Sequence, residues 1–230
     1  EIGNEDSSCF GRWIRHQGYQ EIKKVDMENK PIKKPEIVVF AGPNGSGKST
    51  ITGLLRPPML PYVNADEIQR VLDCDNMEAA KIAEKRREDY LDKHKGFCFE
   101  TVLSTDRNLK LLKQAKDAGF FVRCYYVLTA DPQINVARVA SRVSAGGHDV
   151  PTEKIISRYD KALALVHELV PLCDVCHIYD NSLDAPYRIF KKRKKEYWYC
   201  PERYLWKKDD ITALTGVPNA QRASLNNHRT

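Results

Sequence analysis

Short apolar blocks, rich in β-branched and aromatic residues, alternate along most of this chain with longer segments of mixed polar and apolar spacing. Glu36-Ile37-Val38-Val39-Phe40-Ala41 is the most compact block, of the kind buried on both faces of a parallel sheet. Tyr62-Val63-Asn64-Ala65, Phe97-Cys98-Phe99-Glu100-Thr101, Phe120 to Leu128 and Val175 to Tyr179 read as four further strands. Helical spacing fills the intervals. It begins at Lys48, again at Asp66 as a capping residue, over 76–94, over 105–118 with Gly119 as a stop, over Asp131 to Val143, and over 152–169 with Thr152 as its cap. Such alternation predicts an α/β fold with helices on both faces of a mainly parallel sheet and ligands at the carboxyl ends of the strands.

The flanks break this rhythm. Residues 1–34 are polar and end in Lys-Pro-Ile-Lys-Lys-Pro, which predicts an N-terminal arm. From about 186 the pattern turns aromatic and basic, with Tyr187, Phe190, Tyr197, Trp198, Tyr199, Tyr204 and Trp206, as in a terminal hairpin, and 215–230 reads as a frayed tail. The expected division is therefore an arm at 1–34, a core at 35–185 and a C-terminal extension at 186–230.

The chain has 230 residues, 42% of them hydrophobic, which suits one globular domain. No run approaches the about 18 apolar residues of a membrane-spanning helix, and residues 1–30 carry no secretory pattern, so a cytoplasmic location is expected. The seven cysteines, an odd number spread along the chain, read as reduced and buried; Cys173 and Cys176 form a CxxC with no second pair at zinc spacing. Much of the net charge of +6 comes from Lys191-Lys192-Arg193-Lys194-Lys195, which reads either as a solvated face or as a contact for an anionic partner.

Candidate chemistry starts where the first strand ends. Gly42-Pro43-Asn44-Gly45-Ser46-Gly47-Lys48-Ser49, followed by Thr50, satisfies the G-x-x-x-x-G-K-[ST] pattern between a strand and a helix. A turn of this kind points backbone N–H groups and the positive end of a helix dipole at a polyphosphate. Lys48 adds charge for the β- and γ-phosphates, and the Ser49 hydroxyl is placed to bind Mg²⁺. The fold expected is a P-loop NTPase, a three-layer α/β/α sandwich; the loop alone does not separate kinases from ATPases, motors or transport components, and the sites that follow point to the nucleotide-kinase type.

Asp66, at the end of the second strand, can take the proton of an attacking hydroxyl or simply cap a helix. Glu100 and Thr101, at the end of the third strand, offer hydrogen bonds to a polar substrate or to the water shell of Mg²⁺, or else cap the next helix. Arg138 and Arg142, four apart on one helix, suit a lid over about 138–151 that closes on the transferred phosphate; solvated arginines are the alternative. Arg158, with Tyr159 behind it, supplies a third cation, and His148 stands at the Gly146-Gly147 hinge as a loop residue or a substrate contact. Asn181, in Asp180-Asn181-Ser182, falls near where adenine lies in such folds, or in a plain turn.

Taken in order, Ala41-Gly-Pro-Asn-Gly-Ser-Gly-Lys-Ser-Thr50, Asn64-Ala-Asp-Glu67, Phe99-Glu-Thr-Val-Leu-Ser104 and Arg138 to Arg142 resemble the zeta-toxin family of P-loop kinases over roughly 36–182. Gly146-Gly-His-Asp-Val-Pro151 with Arg158-Tyr159 resembles a shorter, zeta-like branch. The resemblance implies transfer of phosphate from ATP or GTP, with Mg²⁺, to a sugar hydroxyl of UDP-N-acetylglucosamine. It implies Asp66 as base, Glu100 and Thr101 on the sugar, Arg138 and Arg142 on the transferred phosphate, and a small helical antitoxin covering the nucleotide site. Two other readings remain open on the residues alone. One is a kinase of another hydroxyl, including a nucleic-acid 5′ end bound along Lys191–Lys195. The other is a nucleotide-dependent binding module.

Overall fold

Glu36–Ala41 forms strand β1 at the centre of the sheet because every residue after Glu36 is buried, so neither face can be polar. The computed structural model describes residues 34–147, 149–200 and 205–223, and residues 33–222 form one compact unit. The expected arm, apart from Lys34, together with His148, Tyr204 and the end of the tail, lies outside the described residues.

In chain order β1 is followed by α1 (Lys48–Leu55), β2 (Tyr62–Val63), α2 (Ala65–Leu72), α3 (Asn76–Asp92), β3 (Phe97–Thr101), α4 (Arg107–Asp117), β4 (Phe121–Leu128) and α5 (Pro132–Ser144). Then come α6 (Thr152–Ala164), α7 (Val166–Leu172), β5 (Val175–Asp180), β6 (Tyr187–Arg193), β7 (Glu196–Tyr199), α8 (Lys208–Thr215) and β8 (Gln221–Arg222). The sheet runs β2-β3-β1-β4-β5-β6-β7-β8. β2, β3, β1, β4 and β5 are parallel, and β6 and β7 turn antiparallel. It is the mainly parallel α/β/α fold of P-loop kinases.

Alternate residues of one strand serve opposite layers. Ile37, Val39 and Ala41 join Phe97, Phe99, Cys124 and Tyr126 against α3, α4, α7 and α8, whereas Val38 and Phe40 meet Ile51 of α1, Tyr125 and Val127 on the other side. A third cluster of Val139, Val150 and Ile155 packs α5 against α6, so the segment expected as a lid has a small core of its own.

Four expectations change. β2 stops at Val63, because Asn64 leaves the strand to cap α2 with its side chain. The single helix expected over 152–169 is two: α6 starts at Thr152 after Pro151, so Thr152 is not the cap, and α7 begins after Leu165. The break lets Ile155 pack against α5 while Val166, Leu169 and Val170 reach the main core. The aromatic segment does form a hairpin, β6–β7, but as a continuation of the sheet beside β5 rather than as an appended piece. The tail expected from 215 contributes β8, which pairs with β7.

The basic run is also split by the pleat. Lys192 is buried and its Nζ donates to the carbonyls of Val170 (2.8 Å) and Pro171 (3.1 Å), while Arg193, Lys194 and Lys195 are exposed. The six described cysteines are free thiols, and Cys124 on β4 stands with Cys173 and Cys176 in a buried trio whose sulfurs lie within 4.8 Å of one another. Among the described residues no helix is long and apolar enough to cross a membrane.

Candidate active site

The loop after β1 takes its shape from glycines that no other residue replaces. At Gly42 φ is 141° and an added Cβ would stand 1.9 Å from the Val127 carbonyl oxygen; at Gly47 φ is 94° and it would meet the Asn181 amide at 2.3 Å. The chain can therefore lie against β4 and deliver Lys48 at the first turn of α1. Asn181 Nδ2 donates to the Ser46 carbonyl at 2.8 Å, bracing the loop from behind. Ser182 N–H bonds the Asp180 carboxylate at 3.0 Å, so Asp180-Asn181-Ser182 is a structured turn, held to the glycine loop through Asn181.

A cleft of about 690 Å³ opens at the carboxyl ends of β1, β2 and β3. Asn44, Gly45, Gly47, Lys48, Ser49 and Thr50 form its floor, and Asp66, Glu100 and Thr101 one wall. Arg138, Arg142 and Arg158 form the other. Of the remaining described sequence candidates, Gly42, Pro43, Ser46 and Asn181 do not line the cleft.

Lys48 Nζ donates to the Pro43 carbonyl at 2.8 Å within its own loop. Burial draws its pKa down from the usual 10.5 to about 8, with Glu100 and Asp66 pulling upward and Arg142 downward. Its charge is thus poorly hydrated, the condition under which an anionic ligand gains most from it. Asp66 sits in the first turn of α2 and is not the cap: Asn64 Oδ1 accepts from the backbone N–H of Asp66 (2.7 Å) and Glu67 (3.3 Å). The Asp66 carboxylate is exposed on the cleft wall.

Glu100 and Thr101 part company. The Glu100 carboxylate accepts from Ser49 Oγ (3.2 Å) and Tyr62 Oη (2.9 Å). The Thr101 hydroxyl instead accepts from the Leu103 N–H (3.0 Å) and Asn108 Nδ2 (2.8 Å), so it shapes the loop toward α4. Arg138 and Arg142 share one face of α5, and Arg138 keeps a buried Nη1 without a hydrogen-bond partner among the described residues. Arg158 lines the cleft, and Tyr159, buried beside it, ties α6 to the residue after β4 through the Thr129 carbonyl (2.5 Å).

No family model matches the chain. An uncharacterised protein of Haemophilus influenzae is 31% identical over 138 residues, 58% of this chain and 94% of that protein. The chain belongs to that protein's family. Among solved structures, a chain of the PezAT chromosomal toxin–antitoxin system of Streptococcus pneumoniae superposes with a TM-score of 0.51 at 17% identity, covering 94% of this chain and 90% of that one. The native AvrRxo1-ORF1:AvrRxo1-ORF2 complex gives 0.60 at 12% identity over 92% and 72%, and the same complex with ATP gives 0.58 at 12% over 82% and 69%. At these identities the likeness is one of fold.

In this family member the cleft also holds Asn64 and Asp149, which the sequence motifs contain without a role of their own, and Asn76 and Lys154, which sequence reasoning passed over. Lys154 had a signal, since it stands four residues before Arg158 on α6 and so shares its face. Tyr62, which donates to Glu100, had none, because its partner is 38 residues away. The oxygen-rich pairing of Ser49 with Glu100 beside a glycine loop fits a hard divalent cation and a polyphosphate.

Proposed function

We propose that this protein is a phosphotransferase that uses ATP or GTP with Mg²⁺ to phosphorylate a hydroxyl group. One observation carries the reading: a phosphate loop, a carboxylate and three arginines, from separate elements, line a single cleft at the carboxyl ends of the strands. The bound nucleotide–metal pair supplies the phosphoryl group and part of its charge neutralisation. Lys48 and the loop N–H groups hold the phosphates, and Ser49 holds the cation. Asp66 accepts the acceptor hydroxyl's proton as its oxygen bonds to phosphorus and the bond to the β-phosphate breaks. Arg138 and Arg142 offset the charge that builds on the transferred group.

For the acceptor we infer a sugar hydroxyl of UDP-N-acetylglucosamine or a related UDP-sugar. Support comes from the motif order and from Arg158 and Lys154, cations on the cleft wall beyond the α5 pair. A small antitoxin-like partner is part of the same reading, because the chains similar in fold come from two-component complexes. A nucleic-acid acceptor has less support: Lys192 is spent inside the fold, and no residue of the basic run lines the cleft.

The test is transfer of labelled γ-phosphate from ATP to UDP-sugars, nucleosides and RNA 5′ ends, with Lys48→Ala alongside. Transfer to a UDP-sugar that disappears in Lys48→Ala is expected. ATP binding without transfer to any acceptor would leave a binding module and overturn the proposal.

A further inference from the structure

We infer that Tyr62 is a positioning residue that holds the Glu100 carboxylate against Ser49, so that Glu100 serves the divalent cation and not the acceptor. This rests on the phosphotransfer reading and deepens it. The hydrogen-bond directions follow from one end. Asn64 Oδ1 is occupied by the backbone N–H groups of Asp66 and Glu67, so the amide must present Nδ2 to Tyr62, and it donates to Tyr62 Oη at 2.7 Å. The phenol, already accepting there, has its single proton left for Glu100 Oε1, 2.9 Å away.

The second carboxylate oxygen, Oε2, accepts from Ser49 Oγ at 3.2 Å. A serine hydroxyl that gives a lone pair to a cation still has its proton to donate, and a carboxylate that receives it orients the ligand and raises its basicity. The pairing of Phe40 with Glu100 and of Ala41 with Thr101 in the β1–β3 ladder sets that carboxylate level with the entry to the loop. Thr101, next in the chain, accepts from the Leu103 N–H and Asn108 Nδ2 and makes no hydrogen bond to Ser49 or Tyr62, so the two neighbours are held by different partners.

Tyr62→Phe keeps the ring under the Arg56 guanidinium, 4.6 Å from its centroid, and removes only the hydroxyl. Mn²⁺ titration of the full chain with a non-hydrolysable ATP analogue, read by electron paramagnetic resonance, should show affinity falling about 10- to 100-fold in Glu100→Gln and, one hydrogen bond further out, by a smaller factor in Tyr62→Phe. Analogue affinity in EDTA and the melting temperature should stay at wild-type values. Unchanged Mn²⁺ affinity in Tyr62→Phe overturns the positioning role of Tyr62, and unchanged affinity in Glu100→Gln overturns the assignment of Glu100 to the cation. Because this titration needs no acceptor, a lack of phosphotransfer in the separate assay would count against the proposed function alone.

Discussion

Lys48 and Asp66 show how far one residue's role depends on its surroundings. Lys48 was legible from spacing, since the loop pattern assigns it to phosphate, and the fold adds that it is partly buried and satisfied by its own Pro43 carbonyl. Asp66 was legible as a carboxylate at a strand end but carried two readings. With Asn64 taking over the cap, its side chain is released to the cleft. Asp66→Asn, nearly the same shape, should therefore keep nucleotide affinity and fold while turnover falls by about 10²- to 10⁴-fold, as loss of a general base does. Calorimetric ATP titration beside steady-state rates checks this; weakened ATP binding with normal turnover would return Asp66 to a structural role.

Among the elements, α2 brings Asp66 to the cleft from an N-terminus built by one side chain. Asn64 caps two backbone N–H groups with Oδ1 and fixes the Tyr62 hydroxyl with Nδ2, so it couples helix start to carboxylate placement. Asn64→Ala should cost about 1 kcal/mol in urea unfolding. Turnover should drop by more than that stability loss accounts for, because Asp66 and Glu100 both lose their reference point. Equal stability to wild type would mean that another group caps α2. The sequence placed this helix but assigned the cap two residues late: Asn and Asp are comparable caps, and local preference cannot choose between neighbours. The α6–α7 break was hidden for a similar reason, since both halves keep helical spacing and only their separate packing partners divide them.

At the scale of the whole molecule, the β6–β8 segment belongs to the sheet. Ile189 and Phe190 are almost fully buried in the main core, and Lys192 closes the carbonyl end of α7. Burial of each large apolar side chain contributes about 1.5–3 kcal/mol, against a net stability of about 5–15 kcal/mol for a domain. A chain ending at 185 should therefore lose most of its stability and expose the edge of β5 to aggregation. Circular-dichroism melting and size-exclusion chromatography would register this, and an intact melt would show that β6–β8 are dispensable to the core.

The sequence by itself determined the alternation of strands and helices through the core, the glycine loop and the arginine pair on α5, because each is written in residues a few positions apart, where backbone preference and periodicity act. Tertiary structure alone decided that Glu100 meets Ser49 and Tyr62, that Asn181 braces the loop at Ser46, and that Cys124 joins Cys173 and Cys176. It also decided that one lysine of a basic run turns inward. These partners are separated by tens of residues or divided by the pleat of a strand, so they follow from strand order and register, which no local pattern encodes.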